Sequence, residues 1–169
     1  MILSTILAAS ALIATISAAP IETQGSKHVV YLSSCAPDDC PIGLCDPEDF
    51  NIVGAGYFRN GPPASSSASA SALGRLSSVG SGRTWEGSKV TTRIGTDGAF
   101  TSNIARGANS LAKGEIAGDG ELKPSGASSE PFVCFRDGVT KFKATYDYER
   151  YTCTAAYYCP SIDVGTAAQ

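Results

Sequence analysis

The chain has 169 residues, a formal net charge of -3 and only 17% charged side chains. That balance excludes the basic stripe of a nucleic-acid binder and the cationic face of a membrane-lytic peptide. The length suits one domain large enough to bury a core.

Residues 2–16 form an uncharged apolar run, followed by Ser17, Ala18, Ala19 and Pro20. A short apolar stretch ending in small residues is the pattern of a removable secretory signal. It falls short of the roughly 20 apolar residues that span a bilayer. Cleavage is expected after Ala18, giving a signal peptide over 1–18 and a mobile polar leader over 19–27. No second apolar run, lipid-anchor tail or retention signal occurs. The expectation is a secreted, extracellular monomer without a membrane anchor.

His28 to Leu32 is a β-branched and aromatic run that predicts a strand. It leads into Cys35 and a Pro/Asp-rich turn region that holds Cys40 and Cys45. Asn51 to Phe58 predicts a second strand with a glycine-permitted bulge. Residues 61–82, rich in Ser, Ala and Gly, predict a flexible exposed loop. Thr84 to Gly87 and Lys89 to Ile94 predict a hairpin. Ser102 or Asn103 is placed to cap a short helix, with Ile104, Ala108, Leu111 and Ala112 on one face. Phe132 to Phe135 predicts a strand, and Asp137-Gly138 a hairpin turn. Alternation of Phe142, Ala144, Tyr146 and Tyr148 predicts the next strand. A third strand carries Tyr151, Cys153, Ala155, Tyr157 and Cys159 on one face. The fold class is therefore mainly β (α+β): a small disulfide-stapled antiparallel sheet with one short helix. It forms a single disulfide-stabilised domain over 28–165 with a tail over 166–169.

All six cysteines, Cys35, Cys40, Cys45, Cys134, Cys153 and Cys159, lie beyond the signal segment. An even number in an exported chain implies disulfides rather than zinc, with fifteen connectivities open. Three cysteines sit near each end, so at least one bridge must join the two ends.

Catalytic signals are few. His28 is the only histidine, which leaves little for a Ser-His-Asp triad or a two-base ribonuclease. No Gly-x-Ser-x-Gly elbow is present. The acidic residues Asp38, Asp39, Asp46, Glu48 and Asp49 lack a calcium-loop pattern. Gly54-Ala55-Gly56 lacks the context of a dinucleotide site. No catalytic residue, metal or cofactor is assigned. Aromatic residues give the binding hint: Trp85, Tyr157 and Tyr158 are the candidate platform for a glycan or protein partner, with Tyr146, Tyr148 and Tyr151 as further rings that could add to it.

Val30-Tyr31-Leu32 with Cys35, Thr84-Trp85-Glu86-Gly87, Phe100 to Ile104 with Gly107-Ala108 and Ser110, Phe132 with Cys134 and Asp137, and Tyr151-Thr152-Cys153 with Tyr157-Tyr158-Cys159 form a pattern. Taken together it resembles small secreted cysteine-containing proteins of filamentous fungi, in patches over most of the mature chain. The resemblance implies an effector-like, virulence-associated lifestyle and transfers no catalytic residue. It carries Cys35, Cys134, Cys153 and Cys159 and leaves Cys40 and Cys45 as an extra pair. The expected connectivity is then Cys40–Cys45, Cys134–Cys153 and Cys35–Cys159. The function expected is binding to a host or microbial protein or glycan outside the producing cell, without nucleic acid. The alternatives are a glycan or cell-wall-binding protein and a degenerate ribonuclease-like or glycan hydrolase.

Overall fold

The computed structural model describes residues 27–39, 50–78 and 84–162. Expectations for the signal segment, most of the leader, the Cys40–Cys45 pair and the tail lie outside the described residues. Nine strands stand among them: β1 (Val29–Pro37), β2 (Ile52–Phe58), β3 (Ala72–Ser78), β4 (Lys89–Ile94), β5 (Gly98–Ile104), β6 (Ile116–Lys123), β7 (Glu130–Arg136), β8 (Lys141–Tyr146) and β9 (Glu149–Pro160). They pair antiparallel in the order β3-β2-β1-β9-β7-β6-β5-β4, with β8 added to β9. The sheet curls until β4 returns beside β3, giving a near-barrel. A Cβ on Gly74 would sit 2.4 Å from the Arg93 carbonyl oxygen, so the seam requires glycine there. Arg59 closes one end, with its Nε and Nη2 each 2.7 Å from the Asp97 carboxylate.

Two cores share the central strands. The inner one fills the barrel with Val30, Leu32, Val53, Tyr57, Phe100 and Phe132 among others. The outer one lies under β8 and gathers Tyr31, Ile52, Phe58, Leu73, Phe142 and Tyr151. β1 and β2 are therefore buried on both faces over most of their length, which is why they read as near-continuous apolar runs. Phe142 stands edge-on to Phe58, with centroids 5.4 Å apart. Its ring rests on β2 where Gly56 leaves room, since a Cβ there would meet it at 2.5 Å.

The decisive irregularity is a bulge in β9. Leu32 pairs with Tyr157, but Ser33 pairs with Ala155, so Ala156 is an extra residue. One inserted residue reverses the face on which later side chains fall. Tyr151, Cys153 and Ala155 belong to the outer core, whereas Tyr157 and Cys159 belong to the inner one. The expectation that all five share one face is corrected: all are buried, on two faces.

The disulfides follow. Cys35 is the register partner of Cys153, and the two are bonded on the outer-core side. Cys134 is bonded to Cys159 in the inner core, continuing the β7–β9 register of Phe135 with Tyr158. The expected pairs Cys134–Cys153 and Cys35–Cys159 are thus replaced by Cys35–Cys153 and Cys134–Cys159. The bulge had put Cys153 and Cys159 on opposite faces. One bridge does join the two ends of the chain.

Other expectations change as well. The flexible loop over 61–82 contains β3. Thr84–Gly87 does not form the expected hairpin; Glu86 makes only an isolated bridge to Ile104, and β4 pairs with β5. The short helix reduces to a 3-10 turn over Ala108–Ser110, preceded by Gly107 at φ 78 and followed by extended Leu111. Ser102, Asn103 and Ile104 are strand residues in β5. Asp137-Gly138 is a turn but makes no hairpin, because β7 and β8 both pair with β9 along successive halves.

Replacing each cystine by two alanines is expected to destabilise unequally. Sequence separations of 118 and 25 correspond to about 5 and about 3.5 kcal/mol in chain entropy. Urea denaturation is expected to show the greater loss for Cys35/Cys153; equal or reversed losses would contradict the loop argument.

Asp38, at the end of β1, accepts hydrogen bonds from Thr152 and Lys143. These bonds, the Thr152 one first, hold its carboxyl below its ordinary 3.8. A lowered carboxyl stabilises the fold above its unfolded pKa, and the gain disappears as pH falls through the folded value. The melting advantage of wild type over Asp38→Asn is expected to be full above 3.8 and to shrink below it. A constant difference across that range would contradict the assignment.

Candidate functional site

β8 and β9 are joined by only two residues, because Tyr146 pairs with Glu149. Both turn residues are left-handed, Asp147 at φ 50 and Tyr148 at φ 68. Such a turn matches strand twist, and the residues that suit it are Asn-Gly or Asp-Gly. Asp147 fits the first place, but a tyrosine at the second costs about 1–2 kcal/mol. Nothing packs against the ring in return, for Tyr148 is 99% exposed. A strained aromatic that contributes nothing to the core marks a place where function outweighs stability.

Beside this tip lies a cavity of about 500 Å3. It opens where the hairpin leans over the β3–β4 seam. Ala72 and Leu73 supply apolar wall, Tyr146 a half-buried ring, and Arg75 and Arg93 two guanidinium groups. The ion pairs among the described residues are Arg59–Asp97, Lys143–Asp38 and Arg150–Asp39. Neither cavity arginine has a carboxylate partner there. Arg93 only reaches the Gly95 carbonyl, with Nε at 3.5 Å.

Behind the cavity, Tyr151 donates to Glu149 at 2.9 Å. Burial, followed by that bond, pushes its hydroxyl up to about 12, while Arg75 acts in the opposite sense. The tyrosine therefore stays neutral and leaves the guanidinium charge unspent. Two free guanidinium forks beside aromatic rings can grip planar anions such as carboxylates in bidentate fashion.

The residues proposed from sequence fall elsewhere. Trp85 is 5% and Tyr157 1% exposed, both in the barrel interior. They come together there through Glu86, whose carboxylate accepts the Tyr157 hydroxyl at 2.6 Å. Arg136 covers the Tyr157 ring at 5.6 Å. Tyr158 faces the other way, half-buried and stacked on Phe135 at 5.1 Å. The three do not form a shared surface platform. His28 is engaged by the Tyr57 hydroxyl at 2.9 Å from Nδ1. Among the described residues no group of three His, Cys, Asp or Glu is placed to hold a metal.

Arg75 and Arg93 were not singled out by sequence reading. Arg75 lay in the expected loop, and Arg93 in an ordinary strand. Tyr148 was read as an aromatic that could add to a platform, and the structure leaves it exposed. Its place in a turn was missed; the available signal was two alternating segments separated by Asp147-Tyr148. No protein-family model, curated protein or solved structure matches the chain.

Tyr148→Gly is expected to raise the stability by about 1 kcal/mol, read as a melting point higher by about 3 °C. Tyr148→Ala keeps a Cβ in the left-handed region and is expected to gain much less. A Gly variant no more stable than the Ala variant would show that the tip stores no strain.

Proposed function

We propose that this chain is a secreted, effector-like fungal protein that acts by binding a host or microbial partner outside the producing cell, in support of virulence. Two buried disulfides suit an oxidising compartment, and no helix among the described residues is long and apolar enough to cross a membrane. The observation that carries the binding reading is Tyr148, held strained and solvent-exposed in the turn whose other residue, Asp147, lines the Arg75/Arg93 cavity. The hairpin tip is the contact element and the barrel is its support.

Rigid support suits this role. The hairpin is tied down below its tip on adjacent rungs, by Asp38 to Lys143 and Thr152 and by Phe142 in the outer core. A recognition tip on a braced hairpin loses little freedom on binding.

Purified protein infiltrated into leaf apoplast is expected to elicit or suppress a host response. Tyr148→Gly is expected to lose that effect while melting no lower than wild type. A response unchanged by the substitution would remove the hairpin tip from the reading, and absence of any response together with unchanged virulence of a deletion strain would remove the effector role.

A further inference from the structure

Arg93 does not serve one cavity alone. It also lines a second space of about 500 Å3, together with Gly98, Ala99, Lys123 and Pro124. The register explains this. Arg93 pairs with Ala99 on β5, and Ala99 pairs with Lys123 on β6. Residues in one such row project from the same face of the sheet. Arg93 and Lys123 therefore stand two strands apart, about 10 Å, with only the small Ala99 between them. On the other side, Arg75 shares the first cavity with Arg93 across the β3–β4 seam. The result is a row of three exposed cations running across the strands, Arg75, Arg93 and Lys123. None has a carboxylate partner among the described residues. This row is local, since the chain as a whole carries -3. Two acids stand close: Asp147 lines the first cavity with Arg75 and Arg93, and Glu121 lies in the next row, with Thr91 and Thr101.

Resting on the reading that the hairpin-tip groove is the binding site, we propose that its ligand is a linear carboxylate-bearing glycan, a polyuronide, laid across β3 to β6. The three cations meet carboxylates spaced along one side of the chain. Tyr146 and the exposed Tyr148 offer ring faces at one end, and aromatic rings stack on the C–H faces of sugars. Gly98 and Ala99 leave the floor low enough for ring-sized units. Alongside the row, Thr91 and Thr101 hydroxyls, 2.9 Å apart, present donors and acceptors to sugar hydroxyls. A nucleic acid would demand a broader basic surface than three cations on an acidic chain.

The test is calorimetric titration of the mature protein with oligogalacturonate. The comparison arms are the fully methyl-esterified oligomer, polyglutamate and a single-stranded oligonucleotide. Binding is expected for oligogalacturonate, about tenfold weaker for Arg93→Ala, weaker still for the ester, which removes every carboxylate charge, and decreasing with salt. Arg75→Ala and Lys123→Ala are expected to weaken it too, with melting points unchanged at these exposed positions. No binding, or equal binding to the ester, would overturn the proposal. Equal binding to polyglutamate or the oligonucleotide would overturn the glycan assignment. The two readings separate cleanly. A Tyr148-dependent host response that survives in an Arg75/Arg93/Lys123 triple alanine variant would reject the polyuronide and keep the tip. Glycan binding that is lost in the triple variant but indifferent to Tyr148→Gly would keep the ligand and reject the tip.

Discussion

One extra residue in β9 organises this fold. Ala156 interrupts the β1–β9 ladder between Leu32 and Ser33, and it does so where β9 exchanges one neighbour for another. Before the bulge β9 pairs with β8, and after it with β7. The turn between those strands fills the fork. Asp137 and Gly138 donate their N–H groups to the carbonyls of Ala156 and Ala155, each at 2.9 Å. The Asp137 carboxylate in turn accepts the N–H groups of Val139 and Thr140 at 3.0 Å. A buried bulge leaves backbone groups without ladder partners, and such groups must be satisfied. The Asp137 turn supplies them, so bulge and turn stabilise one another.

The two cores and the two disulfides are consequences of that insertion. It sends the first half of β9 outward, under β8, and the second half into the barrel. Each half then carries its own cystine to its own register partner. The hairpin that bears Tyr148 is anchored by the outer core and rises beside the seam closed by Gly74. The candidate site is thus a product of the same irregularity: without a second layer, no hairpin would lean over the Arg75/Arg93 cavity.

Much of this was legible residue by residue. Alternation in β9 marked Tyr151, Cys153, Ala155, Tyr157 and Cys159 as a set in one strand, and apolar runs identified β1 and β2. What alternation cannot report is a change of phase. An alanine bulge has no signature distinct from an ordinary strand alanine, so the five residues read as one face, and nothing in the spacing pointed to the register that pairs the cystines. β3 was hidden for a different reason. Its Gly74 is required by close approach to β4, a tertiary demand, yet glycine and serine in a sequence read as loop. The short helix failed because Ile104 satisfies a barrel position better than a helical one. Trp85 and Tyr157 are buried rather than surface rings because they are the size of side chain a barrel lumen needs, whereas Tyr148 is exposed.

The proposed binding surface is made of what the core does not use: a left-handed tyrosine and a row of cations without ion-pair partners among the described residues. Their arrangement depends on the phase change at Ala156, which is therefore the point to test. Non-reducing proteolysis with mass spectrometry of the linked peptides reads it directly. The account predicts Cys35 joined to Cys153 and Cys134 joined to Cys159; recovery of Cys134 joined to Cys153, or Cys35 joined to Cys159, would contradict the register on both sides of Ala156.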